Sequence, residues 1–412
     1  MGRRGQHIVA GLDIGTTKIC AIVGEVKGDG VIDVIGLGTH PSRGLKKGMV
    51  VNIDSTVESI RQAMEDAQRM AGVEVGSVYV GIAGGHVTGI NSTGIIAVKN
   101  QEITTREIDK VIDAARVVAL PMDREVIHVL PQEFIVDDHR GILDPLGMSG
   151  VRLEARVHIV TAAVASAHNI VKCVNKADLE VEDIVLEQLA SSETVLSPDE
   201  RELGVIIIDI GGGSTNIALI SGHGVKHTAV LGVGGNHITN DLAFGLNTTL
   251  QEAERLKKTY GSAYSPTAGM HETIEVRSLG EREPQRHTRM DLCDIIEPRV
   301  EEMLQMVLQE IKQSGYAESA TAGVVLTGGT ALLPGIVELA EAVFRLPARC
   351  GIPTGIGGLV DMVNSPMYAT GVGLLQFAIK QHHYGRFHKF TDEHLFGKIY
   401  HRMRDWFGEF LA

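Results

Sequence analysis

Apolar residues in the first quarter of the chain fall in short blocks cut by glycine, acidic and hydroxyl residues. Residues 8–23 read IVAGLDIGTTKICAIV: an apolar strand, Asp13, a Gly/Thr turn and a second apolar strand. The construction returns at 206–220, IIIDIGGGSTNIALI. Here 205–208 is β-branched and apolar on both parities, which predicts a strand buried on both faces. Asp209 interrupts it, Gly211, Gly212 and Gly213 follow, and 216–220 returns as the second arm of a β-hairpin. The two acidic–glycine hairpins lie 209 − 13 = 196 residues apart. That spacing predicts two related lobes, each offering one loop to a shared cleft.

Strand 31–37 extends the first hairpin. Asp54 reads as the N-cap of a helix striped by Ile60, Ala63, Met64 and Ala67, and strand 77–82 follows, closed by Gly84 and Gly85. The first part of lobe one is therefore 1–85. Over 86–160 the pattern changes: strand 94–99, a helix from Thr105, a strand-rich stretch 125–137 broken at Pro131, and strand 151–160. This predicts a small inserted α+β subdomain suited to partner contact. Residues 161–203 resume lobe one, with helix 168–174 and strand 181–186 leading to Glu187.

Lobe two is predicted over 204–380. It contains strand 225–230, GVGG at 232–235, helix 250–259, a polar excursion over 262–289, and helix 293–312 that Pro298 either kinks or starts. Strand 323–327, GGTALLPGI at 328–336, strand 348–351 and a small-residue helix 365–376 complete it. Residues 381–394 are a polar, His-rich linker. The end, 395–412, places Leu395, Phe396, Ile399, Tyr400, Met403, Trp406, Phe407, Phe410 and Leu411 on one helical face, with Lys398, Arg402 and Arg404 among the polar positions. Such a face needs burial on the protein's own body, in a partner groove, or at the headgroup–acyl boundary of a membrane. Its aromatic rings and cations favour an anionic phospholipid surface. The side-chain charge is only 3 − 2 = +1, so apolar burial supplies most of that attraction.

The 412 residues are 44% hydrophobic, include 48 glycines and carry a formal charge of −13. This is a globular α/β composition, and its acidity argues against nucleic acid as a partner. Cys20, Cys173, Cys293 and Cys350 lack paired spacing, so neither a zinc site nor a disulfide framework is indicated. No stretch reaches the length of a membrane span.

The chemistry concentrates at the glycine turns. Glycines 211–213 let backbone N–H groups approach a phosphate, and Ser214 and Thr215 add hydroxyl donors. Asp209 would repel phosphate, so its partner there is a hydrated Mg²⁺; the alternative is a structural hairpin whose Asp caps the turn. Glu187 either faces the cleft to order water or is an ordinary helix-start carboxylate. Gly234 and Gly235 before a helix can carry an anion on exposed N–H groups. Glu254 and Lys257 either hold a nucleoside or form a solvated ion pair. Gly328 and Gly329 either pass beneath an adenine or ribose or simply end a strand. The turn at 41–48, with Arg43, Lys46 and Lys47, is either solvated or close to the cleft.

The segments GLDIGTTKICAIV (11–23), IIIDIGGGSTNIALI (206–220) and VVLTGGTALLPGI (324–336), with the amphipathic end, resemble the actin/Hsp70/sugar-kinase superfamily. Within it the chain resembles the FtsA family of bacterial cell-division proteins over essentially its whole length. The resemblance implies an α/β, two-lobed actin-like fold, a duplicated ribonuclease H-like unit with an inserted α+β subdomain, and ATP in the cleft. Gly15, Thr16, Thr17 and Lys18 would be the first phosphate loop and 209–215 the second. Glu254, Lys257, Gly328, Gly329 and Thr330 would contact adenosine, Asp13 and Asp209 would organise Mg²⁺, and Glu187 would position water for a weak ATPase. Residues 240–315 would form the outer subdomain of lobe two. The implied role is self-association into filaments on the cytoplasmic face of the inner membrane at the septum. There it would hold the FtsZ C-terminal peptide, and later division proteins would dock. One departure is Asn236, where many prokaryotic actins have Asp; Asp241 lies five residues on. A small-molecule kinase of the same superfamily is the alternative, but no first-lobe Asp or His is singled out as its general base. An Hsp70-like reading would need a peptide-binding domain beyond residue 380.

Overall fold

The structure is a computed structural model that describes residues 7–28, 30–222, 224–265, 272–278 and 284–383. Strands β1 (His7–Ile14), β2 (Lys18–Val26) and β3 (Ile32–Pro41) form an antiparallel meander. A small hairpin, β4 (Leu45–Lys46) and β5 (Met49–Val50), leads to α1 (Ile53–Ala71). The cap of α1 is Asn52, not Asp54: its Oδ1 accepts the Ser55 N–H at 2.9 Å. Asp54 falls in the first turn, where the helix dipole favours a carboxylate. β6 (Ser77–Ile82) then runs parallel to β1.

The insertion comprises β7 (Val87–Ala97), α2 (Thr105–Arg116), β8 (Arg124–Val136), β9 (His139–Ile142) and β10 (Arg152–Ala163). Its four strands pair in the order β7-β10-β8-β9, and α2 buries Ile108, Val111, Ile112 and Ala115 against them. β8 is not broken at Pro131. The proline pairs with Val157 at a register shift, an irregular point of the ladder that tolerates its missing N–H.

α3 (Val164–Lys176), β11 (Glu180–Leu186), α4 (Glu187–Val195) and α5 (Pro198–Leu203) lead to a second meander: β12 (Val205–Ile210), β13 (Thr215–Ser221) and β14 (Gly224–Leu231). There follow α6 (Gly235–Gly245), α7 (Leu250–Tyr260), β15 (Thr273–Val276), β16 (Gln285–Thr288) and α8 (Arg289–Gln313). α8 starts four residues earlier than predicted, at a capping box between Thr288 and Asp291, and continues through Pro298. The chain ends its described part with β17 (Gly323–Thr327), α9 (Ile336–Phe344), β18 (Ala348–Cys350), β19 (Ile356–Gly358), α10 (Val360–Val363) and α11 (Ala369–His383).

The second sheet, β14-β13-β12-β17-β18, repeats the order and sense of β3-β2-β1-β6-β11 in the first. Three antiparallel strands are followed in each by two parallel ones. The chain is therefore a duplicated α/β unit with an α+β insertion. One boundary differs from expectation. The last part of 204–380 returns to the first lobe, because β19 pairs with β3 and α11 buries Val372, Leu374 and Leu375 against Val9, Cys20 and Ile22. The small residues of α11 permit this approach: a Cβ on Gly371 would lie 2.8 Å from Ile22 Cδ1.

Candidate functional site

Both acidic–glycine turns close with the same bond. Gly15 N donates to Lys18 O at 3.1 Å, and Gly211 N donates to Ser214 O at 2.9 Å, positions again 211 − 15 = 196 and 214 − 18 = 196 apart. Asp13 faces Cys20 across β1–β2, and Asp209 faces Asn216 across β12–β13. The duplicated topology brings the two turns together. A Cβ on Gly213 would lie 2.6 Å from Thr16 Oγ1, and one on Gly212 would collide with the Thr17 hydroxyl. Only glycine allows this contact.

Three carboxylates share the floor. Asp209 is 6% exposed, and its Oδ2 accepts Ser191 Oγ at 2.8 Å and Thr370 Oγ1 at 3.1 Å. Ser191 belongs to α4 and Thr370 to α11, so the second-lobe acid is held by two first-lobe hydroxyls. Glu187 opens α4, and its Oε2 accepts Asn216 Nδ2 at 2.9 Å. Burial, with a smaller contribution from Asp209 and against the Lys18 charge, raises Asp13 to about 6. Burial and then the charges of Asp13 and Asp209 push Glu187 well above the usual carboxylate range. Asp209 is also raised by burial, against its two hydroxyl donors and Lys18. The Lys18 ammonium donates to Met367 O at 2.7 Å and lies 4.5 Å above the Tyr368 ring.

The second-lobe rim is tied to the same turn. Gly235 N donates to Gly211 O at 2.9 Å and Asn236 N to Gly212 O at 2.8 Å. The Gly234–Gly235 pair therefore does not present free N–H groups for an anion, as its spacing had suggested; Gly235 docks α6 onto the hairpin. The Thr215 hydroxyl is likewise spent on Val233 O at 2.9 Å. Thr330 Oγ1 donates to Gly211 O at 3.1 Å. Lys257 Nζ meets Glu254 Oε2 at 2.6 Å and also donates to Gly235 O at 3.0 Å and Thr239 Oγ1 at 2.8 Å. This pair is part of the rim and not a solvated surface pair. Gly328 has φ +84°, and a Cβ there would strike Asp209 Oδ1 and lie 2.7 Å from Ile210 O. Gly329 has room beside it, its nearest neighbour being Met367 Cβ at 4.0 Å. Asp241 is paired with Arg299 on α8.

Sequence reasoning missed Ser191, Thr370 and Asn216. Ser191 and Thr370 lie among small residues of helices buried on several sides, where no polar–apolar period singles them out. Asn216 was legible in principle, since it is the residue opposite Asp209 in the predicted hairpin.

A family model described as "Cell division protein FtsA" matches residues 206–373, and one described as "SHS2 domain inserted in FTSA" matches 84–161. The cell division protein FtsA of Pseudomonas aeruginosa is 50% identical over 374 residues, 91% of this chain and 90% of the relative. The chain belongs to the FtsA family of cell division proteins. The Escherichia coli K12 FtsA is 40% identical over 384 residues, 92% of this chain and 91% of its own. Among solved structures, the PilM–PilN type IV pilus biogenesis complex is similar with TM-score 0.65 and 18% identity, covering 90% of this chain and 98% of that one. MreB5 of Spiroplasma citri bound to ADP gives TM-score 0.57 and 15% identity over 91% and 98%. These likenesses show the actin-like fold.

In this FtsA-family chain the insertion also touches the second sheet. His158 of β10 bonds Asn91 Oδ1 at 2.6 Å through Nδ1 and Thr228 Oγ1 of β14 at 2.8 Å through Nε2. Gln132 Nε2 donates to Val225 O at 2.7 Å. No helix among the described residues is long and apolar enough to cross a membrane. The amphipathic segment 395–412 lies outside the described residues.

Proposed function

We propose that this chain binds ATP with Mg²⁺ between its lobes and polymerises on the cytoplasmic face of the inner membrane at the division septum. There it tethers FtsZ through the FtsZ C-terminal peptide and recruits later division proteins. The observation that carries the nucleotide part is the meeting of two equivalent acidic–glycine turns over the buried Asp209 and the half-buried Asp13 and Glu187. The donor set fits the group. Asp13 and Asp209 feel the Lys18 ammonium, Glu187 feels both of those carboxylates, and a divalent cation would offset the excess negative charge. Gly329 leaves open space beside the floor, its nearest neighbour being Met367 Cβ at 4.0 Å, and Asn216 Oδ1 is buried without a protein partner. Asp13 and Asp209 would hold a hydrated ion jointly with phosphate oxygens.

In this reading Asp13 and Asp209 orient the hydrated cation, and the turns at 15–18 and 211–214 cradle the phosphates with backbone N–H groups. Gly328–Thr330 and the Glu254–Lys257 pair border the nucleoside. Glu187, oriented by Asn216, would hold water toward a terminal phosphate. Bound Mg²⁺–ATP supplies an anion that both lobes grip, so it favours the closed arrangement. Fold neighbours support these steps by analogy: an MreB5 was solved bound to ADP and MamK as a double helical filament. Residues 86–160 would serve self-association and downstream partners, and 240–315 the outer part of lobe two.

Residues 395–412 would lay their apolar face in the lipid interface, and many copies in a filament would bind cooperatively. Co-sedimentation with anionic vesicles in Mg²⁺–ATP tests this. The full chain pellets with lipid, while a chain ending at Lys380 and a Trp406→Glu variant stay in solution with ATP affinity intact. Equal pelleting of full and shortened chains would remove the anchor.

A further inference from the structure

The hairpin between β3 and α1 carries a cation in an unusual place. β4 and β5 pair Leu45 with Val50 and Lys46 with Met49, so Lys47 and Gly48 are the two turn residues. Both have positive φ, +51° and +77°, the sign pattern of the tight turns that suit two-residue hairpins. Asn, Asp or Gly ordinarily takes the first of these positions, and lysine is disfavoured there. The turn is fastened to the first phosphate-facing loop: Gly48 N donates to Thr16 Oγ1 at 3.0 Å, and Ser42 N donates to Thr17 O at 3.0 Å. Its other side packs on the root of the insertion, where a Cβ on Gly48 would lie 2.8 Å from Ala83 O.

This fastening carries the Lys47 side chain across to the second lobe. Its Cδ and Nζ come within 3.7 and 3.9 Å of the point a Cβ on Gly232 would occupy. Gly232 follows Leu231, which pairs with Thr215, so it adjoins the Ser214 end of the second glycine turn. The side chain thus reaches from the turn fastened to Thr16 to the strand end beside the second glycine turn. Among the described residues it has no carboxylate partner.

We infer that Lys47 is a phosphate-binding residue, reaching from the β4–β5 turn to neutralise the phosphate chain of the nucleotide. The inference rests on the nucleotide reading above and adds to it a contact that crosses the cleft. A cation held on a strained turn, next to two glycine loops and without a protein counter-ion, is complementary to a polyanion.

Calorimetric titration of the full chain with ATP, ADP and AMP, each with Mg²⁺, compares the parent with Lys47→Asn, Lys47→Arg and Lys46→Gln. Asn suits the turn, so Lys47→Asn keeps or raises the melting temperature of the nucleotide-free protein while its ATP affinity falls about tenfold, the loss of one charge-assisted contact. AMP affinity changes less than about twofold, and Lys47→Arg and Lys46→Gln stay near the parent in ATP affinity. If the parent binds ATP and Lys47→Asn binds it equally well, or loses ATP and AMP alike, the assignment is wrong. If the parent itself binds none of the three, the nucleotide reading has failed and this contact falls with it.

Discussion

Acid should weaken this fold through His158, and the effect can be isolated. The ring is 1% exposed, between Asn91 Oδ1 and Thr228 Oγ1. Burial first, and the charge of His227 second, lowers its pKa from 6.5 to about 3. The folded value is depressed, so the stability linked to the neutral ring is fully present above 6.5 and is lost as pH falls toward 3. At pH 5.5 an unfolded imidazole is mostly protonated while His158 is not, which costs about 1.4 kcal/mol relative to pH 7.5. His86, lowered to about 4 by burial and by Arg124, acts in the same direction. Asp13 opposes both: its raised value near 6 favours folding at low pH, an effect lost as pH rises through 6. The total slope is therefore a difference of opposing effects, and a variant is needed to read one of them. Urea unfolding of the parent and His158→Gln at pH 7.5 and 5.5 should show the parent losing about 1.4 kcal/mol more than the variant over that interval. Equal losses would mean that His158 titrates normally and that the contact between insertion and second sheet is open to water.

Other perturbations probe the floor of the cleft. Gly328→Ala places a methyl against Asp209 Oδ1 and Ile210 O at a φ of +84°. It should cost about 2–4 kcal/mol in urea unfolding, or shift Asp209 enough to abolish Mg²⁺-dependent binding. Ser191→Ala leaves Asp209 Oδ2 with Thr370 alone. A loss of about 1–2 kcal/mol in stability, with a higher Mg²⁺ requirement for ATP binding, is the expected result. No change in either would show that Ser191 does not set the carboxylate.

Much of this arrangement was legible because the hairpins announce themselves twice. Apolar arms, one acid and a glycine turn at a fixed separation predicted both meanders, and the Gly15–Lys18 and Gly211–Ser214 closures follow that repeat. Helices α2 and α8 were visible through Ile108, Val111, Ile112 and Val300, Leu304, Val307, whose spacing is that of one buried face. What escaped was tertiary in origin. α11 has apolar and small residues around much of its circumference, so its sequence does not say which sheet it covers. Pro131 looked like a strand break because a register shift is a property of the pair of strands, not of β8 alone. The glycines at 234 and 235 suggested open N–H groups, but carbonyls brought over from 211 and 212 take the N–H groups of Gly235 and Asn236. The turn carrying Lys47 reads from the sequence as either solvated or close to the cleft, and only its fastening to Thr16, a tertiary contact, decides for the cleft.

The proposed site has the turns at Asp13 and Asp209 closing on one nucleotide through a shared cation. Titration of the full chain with ATP, with Mg²⁺ and again in excess EDTA, tests it most directly when repeated on Asp209→Asn. Saturable one-to-one binding is expected in the parent, weakening by at least about tenfold on chelation and by a similar factor in the variant. Absent binding, or binding indifferent to both the metal and Asp209, would contradict it.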